Sequence, residues 1–226
     1  MQIKIAPSLV ESDLAHLARA IAEVEEGGTD LLHVDVADGH FVPNLMCGTD
    51  LTAAVARCAS VPVGVHLMVT DPVRFAPAFA KPGVKTIFFH AEAVDDLLGT
   101  VRAIKKLGVA VGVALKPKTP PESVAVAVGE LDCLMAMTVE PGFSGQQFME
   151  SACQKIPALR KMFGSDMDIY VDGGIGPATV SRAVGYGANV LVAGAAVFHA
   201  DLPPAEAVRR LREAALGALR KGARLK

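Results

Sequence analysis

The 226-residue chain has no tryptophan, only two tyrosines and only four cysteines. Cys47, Cys58, Cys133 and Cys153 are too far apart for a zinc knot or a redox pair, which excludes a disulfide scaffold and points to a reducing compartment. Charge of either sign is not in excess: 22 Lys and Arg stand against 24 Asp and Glu, a net −2. No broad basic surface therefore advertises nucleic acid or an anionic membrane as a partner. Apolar runs such as Asn189 to Ala200 fall short of the roughly 20 residues that span a bilayer. Met1 leads almost directly into Ile3–Pro7 without a signal-peptide core or a basic presequence, so a soluble, cytoplasmic protein is expected. No G-x-G-x-x-G follows the first apolar run, which removes the dinucleotide-binding signature.

What is present is alternation. Short β-branched or apolar runs lie near Ile3–Ala6, Leu31–Val36, Val61–Leu67, Thr86–His90, Val109–Leu115, Cys133–Thr138, Asp168–Val171 and Val190–Ala193. Segments with helical spacing separate them. Leu14, Leu17, Ala18, Ile21 and Val24 form one apolar stripe, and Leu97, Val101, Ile104 and Leu107 form another. Helix ends are marked by Gly27-Gly28, Gly108 and Gly187, and helix starts by Ser12-Asp13 and Pro177-Ala178-Thr179. Half of the residues are apolar (51%), enough for a sizeable core, and no composition break or linker divides the chain. Eight strands alternating with helices at this length fit an α/β fold, a single (β/α)8 TIM barrel over residues 1–226, better than an open sheet. The stretch from Pro204 to Lys226 reads as its last helix, with a solvated basic tip.

Such a barrel gathers the carboxyl ends of its strands on one face, so the polar residues there are the candidates. The stretch LLHVDVADGHFVPN, Leu31 to Asn44, puts His33 and Asp35 two apart on one face of a strand that then breaks at Gly39 and Pro43. His66 ends the third strand and Asp172 the seventh. Together the four residues offer two nitrogens and two carboxylates, a set that suits Zn²⁺, Fe²⁺ or Mn²⁺. Taken singly, each also fits a hydrogen-bonded structural residue. Three glycine-bearing turns follow the last three strands, at Gly142–Gly145, Gly173-Gly174 and Gly194. Glycine lets backbone N–H groups approach an anion, and phosphate cups in these barrels often use such loops. His90 and Glu92 also sit at a strand end and fit a structural pair, whereas His16, His40 and His199 read as surface or loop histidines.

Seven stretches, in order, carry a family resemblance: IAPSL, LLHVDVADGHFVPN, VHLMV, FHAEA, ALKPKTP, MTVEPGFSGQQFME and VDGGIGP. From about Ile5 to Phe198 the chain resembles the ribulose-phosphate 3-epimerases, and MTVEPGF looks like their eukaryotic branch. The resemblance implies one divalent metal ion held by His33, Asp35, His66 and Asp172, and a substrate contact at Ser8. It implies phosphate held by Gly142, Phe143, Ser144, Gly145, Gly173, Gly174, Gly194 and Ala195, with Phe143 ordering its turn or facing the sugar. Asp35 and Asp172 are implied as the acid/base groups on opposite faces of C3 of a phosphorylated ketose. Met68 and Met137 match methionines that pack over the substrate in this family, although core filling is the commoner use of Met. A homo-oligomer, dimer or hexamer, is implied as well.

The chain departs from the family pattern at three places. Ala37 stands where a methionine is usual, which is expected to open one wall of the pocket. Ala195 removes a phosphate-side hydroxyl, and Ser144 adds one in the opposing turn. Three rival readings stay open: an epimerase acting on a longer sugar such as allulose 6-phosphate, a Schiff-base aldolase using Lys116, and a non-catalytic paralogue.

Overall fold

A computed structural model describes residues 1–223. Among the described residues, nine strands form one sheet: β1 (Lys4–Pro7), β2 (Leu32–Asp38), β3 (Leu45–Met46), β4 (Val63–Met68), β5 (Val84–His90), β6 (Ala110–Leu115), β7 (Cys133–Met137), β8 (Asp168–Asp172) and β9 (Val190–Ala193). Eight pair in parallel, in the order β1-β9-β8-β7-β6-β5-β4-β2, while the two-residue β3 adds antiparallel to the mouth end of β2. The ring closes between β1 and β2. Ser8 bridges to His33, the Ile5 N–H donates to Asp30 Oδ2, and the Asp30 N–H donates back to the Ile5 carbonyl. The chain is a (β/α)8 barrel with one added edge strand.

Helices α1 (Leu17–Glu26), α2 (Thr49–Cys58), α3 (Pro72–Phe79), α4 (Leu97–Lys105), α5 (Ile156–Phe163), α6 (Val180–Tyr186), α7 (Ala195–Phe198) and α8 (Pro204–Ala223) lie along the chain between and after the strands. The crossover from β6 to β7 holds a seven-residue 3₁₀ stretch, Pro121–Ala127, and no α-helix. The stripe Leu97, Val101, Ile104, Leu107 faces the core as expected, with Leu107 only partly buried. The first stripe needs correcting. Asp13 caps a separate 3₁₀ turn, Leu14–His16, so Leu14 is left exposed and α1 starts at Leu17. The phase of α1 then buries Ala20 with Ile21 and Val24, and Ala18 faces outward. The end of the last expected helix, residues 224–226, lies outside the described residues. Among the described residues no helix is long and apolar enough to cross a membrane. All four cysteines are unpaired.

Strand parity divides the core into two shells. Leu32, Val34, Val36, Val65, Leu67, Ile87, Phe89, Leu134, Ile169, Val171 and Leu191 face the helices. Ala6, Phe88, Ala114, Cys133, Met135, Met137, Tyr170, Val190 and Val192 fill the barrel interior, where Phe88 meets Tyr170 edge-on at 4.7 Å. Gly112 makes room for that plug, since a Cβ there would lie 2.3 Å from Phe88. The same parity turns Ser8, His33, Asp35, His66, His90 and Asp172 inward above the plug, so the strands that build the core also aim the polar residues.

Candidate active site

Register brings the four ligand-type residues together. Asp35 on β2 pairs laterally with His66 on β4, and His33 stands one inward-facing position below Asp35. Asp172 ends β8, between Met137 of β7 and Val192 of β9. Both histidine side chains are fully buried, and those of Asp35 and Asp172 are 10% and 15% exposed. His33 Nε2 is 3.2 Å from Asp35 Oδ1 and 3.7 Å from Asp172 Oδ2; His66 Nδ1 is 2.9 and 3.6 Å from the same two atoms. One donor atom from each residue lies within 4.8 Å of all the others. Two nitrogens and two carboxylate oxygens converging this closely in a nearly dry setting fit a divalent cation.

The two carboxyl groups are pushed apart. Burial disfavours the Asp35 charge, but the His33 charge and hydrogen bonds from His33 and His66 more than reverse this, holding it well below the usual carboxylate range. Asp172 is pushed up to about 6 by burial and by the Asp35 charge, with His33 and His66 opposing. Burial works against a charge on His33, and the Asp35 and Asp172 carboxylates outweigh it, so its pKa is raised. A pair of carboxyl groups set to different acidities is the arrangement that acid/base chemistry uses.

Neighbours hold these groups in place. Ser8 Oγ donates to Asp35 Oδ2 at 2.6 Å, so its hydroxyl is spent on the carboxylate while its side chain lines the cavity. The fully buried Thr138 donates from its backbone N–H to the Asp172 carbonyl at 2.7 Å, and its hydroxyl bridges the carbonyls of Asp172 and Gly173 at 2.9 and 2.6 Å. Thr138 lies in the MTVEPGF stretch but was not singled out, because a threonine is neither a metal-ligand nor an acid/base type of side chain.

Above the four residues opens a cavity of about 390 Å³, lined by Ser8, Asp35, Met68, Met137, Asp172 and the three glycine turns, Gly142–Gly145, Gly173-Gly174 and Gly194-Ala195. Met68 and Met137 are 2% and 3% exposed and line it as well as filling space beneath it. Gly173, at φ +113°, has no room for a side chain, since a Cβ would sit 2.4 Å from Val139. Gly194 is crowded in turn by Glu11, at 2.6 Å from such a Cβ. Ala195 opens the short helix α7, whose first N–H groups have no partner within it.

Several expectations need amendment. Ala37 does not line the cavity: it is packed under Val42 and Met68, and Met46 of β3, paired with Ala37 across the strands, forms that part of the wall. The pocket is therefore not opened there. Phe143 is 54% exposed and does not order its turn by packing. That turn is held by Gln146 Nε2, which donates to the carbonyls of Glu140 and Phe143, and by Asn44 Nδ2, which donates to the Gly142 carbonyl at 2.8 Å. The Lys116 ammonium sits 4.1 Å over the Phe41 ring and is not among the cavity residues. His16 and His40 are exposed; the exposed His199 has an ion-pair partner in Glu11, which lines the cavity and carried no sequence signal. His90 and Glu92 do pair, at 3.2 Å. Burial lowers His90 to about 4; Glu92, which burial alone would raise, is brought to about 2 by hydrogen bonds from His90 and Thr119.

Comparison with known proteins gives a consistent picture. The model of the ribulose-phosphate 3 epimerase family matches residues 4–198. A ribulose-phosphate 3-epimerase of Bacillus subtilis is 44% identical over 200 residues, 87% of this chain and 92% of that protein. That of Methanocaldococcus jannaschii is 43% identical over 222 residues, 97% and 94% of the two chains. A cytoplasmic isoform from Oryza sativa is 40% identical over 222 residues, 96% of each. Among solved structures, 3-hexulose-6-phosphate synthase from Salmonella typhimurium aligns over 96% of this chain and all of its own (100%), with a TM-score of 0.69 at 20% identity. Orotidine 5'-phosphate decarboxylase from Pyrococcus horikoshii aligns over 94% of this chain and 99% of its own, also at 0.69, with 17% identity. These two share the fold.

Proposed function

The chain belongs to the ribulose-phosphate 3-epimerase family, and from that premise we propose that it interconverts D-ribulose 5-phosphate and D-xylulose 5-phosphate. Inverting C3 requires one group to take a proton from one face of the carbon and another to return a proton on the opposite face. A single group would hand the proton back where it came from. The observation that carries the reading is the pair Asp35 and Asp172, which reach the floor of one cavity from β2 and β8. Asp35 serves one face of C3 and Asp172 the other: the one that starts as carboxylate takes the C3 proton, the other delivers one to the opposite face of the enediolate, and the roles exchange with reaction direction.

A divalent ion held by His33, Asp35, His66 and Asp172 would supply Lewis-acid stabilisation of the charge that develops on the substrate oxygens. Ser8 keeps the Asp35 carboxylate turned toward C3, and Thr138 keeps the Asp172 backbone fixed at the end of β8. The phosphate sits on the backbone N–H groups of the turns at Gly142–Gly145, Gly173-Gly174 and Gly194-Ala195, with the Ser144 hydroxyl taking over a contact that Ala195 cannot make. Met68 and Met137 cover the flat intermediate and keep water from it. A cavity of about 390 Å³ suits a ligand of this size. A longer sugar loses its steric ground once Met46 fills the wall beside Ala37, and the Lys116 ammonium stacks on Phe41 and is not among the cavity-lining groups, which disfavours a Schiff base there. Membership of the family also supports a cytosolic location and a dimeric or hexameric assembly.

Running the reaction in D₂O tests the two-group mechanism. Each product molecule is expected to carry solvent deuterium at C3 from the first turnover, and Asp172→Asn or Asp35→Asn is expected to slow turnover at least about 10²–10⁴-fold. Product that keeps the substrate's own C3 hydrogen would refute it.

A further inference from the structure

His66 differs from His33 in what its second ring nitrogen meets. His66 Nδ1 faces Asp35 and Asp172, while its Nε2 lies 2.9 Å from Nε2 of His90. His90 is fully buried, and its Nδ1 is 3.2 Å from Glu92 Oε2. The other Glu92 oxygen accepts the Lys116 backbone N–H at 2.8 Å and the Thr119 hydroxyl. The Phe41 ring packs on His90 at 4.8 Å. His33 Nδ1, in contrast, has no hydrogen-bond partner among the described residues.

We propose that Glu92 and His90 are positioning residues that fix the tautomer and orientation of His66, so that its Nδ1 is presented as an unprotonated donor to a divalent ion. The proposal rests on the metal reading above. It follows from counting protons along the chain of contacts. A carboxylate only accepts, so Glu92 requires the proton of His90 on Nδ1. Neutral His90 then carries its lone pair on Nε2, and the 2.9 Å contact requires His66 to donate from its own Nε2. Neutral His66 is left with its lone pair on Nδ1, where the two Asp carboxylates converge and a cation would sit; without a cation, the 2.9 Å contact with Asp35 takes a further proton on Nδ1, which metal binding would release. A merely structural His–Glu pair would be complete without the second imidazole. Here the free end of the pair is aimed at the outer nitrogen of a candidate ligand, an arrangement that orients metal-binding histidines.

Glu92→Gln should turn the relay around. The amide oxygen stays with the Lys116 N–H and Thr119, its NH₂ faces His90 Nδ1, and the proton moves to His90 Nε2. His66 Nε2 must then accept, which puts the His66 proton on Nδ1. The full chain, stripped of metal, is titrated with Zn²⁺ against a chromophoric chelator. The dissociation constant of Glu92→Gln is expected to rise about 10–100-fold, with a urea midpoint and far-ultraviolet spectrum close to wild type. Nitrogen-15 spectra of the histidine-labelled, Zn²⁺-loaded wild type are expected to show His90 protonated at Nδ1 and His66 at Nε2. Zn²⁺ affinity in Glu92→Gln within about twofold of wild type would overturn the relay, as would a wild-type His90 protonated at Nε2. If the variant does not fold, the wild-type spectrum decides alone. A wild-type chain that binds no Zn²⁺ overturns the metal reading itself, and the relay with it.

Discussion

Replacing Thr138 by Val leaves the shape of a fully buried side chain nearly unchanged and removes one hydroxyl. That hydroxyl bridges the carbonyls of Asp172 and Gly173, the turn that carries the second proton-transfer group. The Asp172 carbonyl keeps the Thr138 backbone N–H at 2.7 Å, so only the Gly173 carbonyl is left short of a donor. One net hydrogen bond is worth about 0.5–1.5 kcal/mol, and a buried acceptor left without a partner costs about 1–3 kcal/mol. The expected loss of stability is therefore about 1–3 kcal/mol. Activity should suffer more than stability, because a misplacement of about 1 Å in a reacting group can cost about 10²-fold. We expect kcat to fall about tenfold or more with KM little changed. Urea unfolding gives the first quantity and a coupled epimerase assay the second. A variant within about 0.5 kcal/mol of wild type and with kcat within about twofold would refute the role given to Thr138.

Three further outcomes are expected. Gly112→Ala drives a methyl group into the Phe88 ring and Cys133 Sγ, 2.3 and 2.8 Å from the new Cβ, and should cost about 1–3 kcal/mol in a thermal melt; an unchanged melt would show that the barrel plug is loose. Burial pushes the Asp38 carboxyl up, yet the backbone N–H groups of Thr70, Phe41 and His40 and the Thr70 hydroxyl bring it down to about 2. A depressed pKa stabilises fully above the unfolded value and is lost on acidification, so the stability lead of wild type over Asp38→Asn should shrink between about pH 4 and about pH 2, and a constant lead would count against it. Ser144→Gly should raise KM for the phosphosugar a few-fold with kcat retained, and an unchanged KM would remove Ser144 from the phosphate site.

The barrel was legible because its strands are short apolar runs spaced by helices, and every expected strand lies within two residues of an observed one. The four ligand-type residues were legible too, since strand parity and position at strand ends are properties of sequence. Contacts between distant strands were not. The link from His66 to His90 depends on β4 and β5 lying side by side in register, and nothing in either motif states that. Met46 at the wall beside Ala37 depends on β3, two residues too short to read as a strand. Leu14 and Ala18 were misplaced because Asp13 caps a 3₁₀ turn first, which shifts the phase of α1. A helix was expected between every pair of strands, but the β6–β7 crossover, which opens on Pro120 and Pro121, holds a 3₁₀ stretch instead.

The most direct test is epimerisation of D-ribulose 5-phosphate by the metal-stripped chain, with and without added Zn²⁺, Mn²⁺ or Fe²⁺. Turnover is expected to return with at least one of the three ions in the wild type and to stay absent in Asp172→Asn. Full turnover without metal, or turnover in Asp172→Asn equal to wild type, would contradict it.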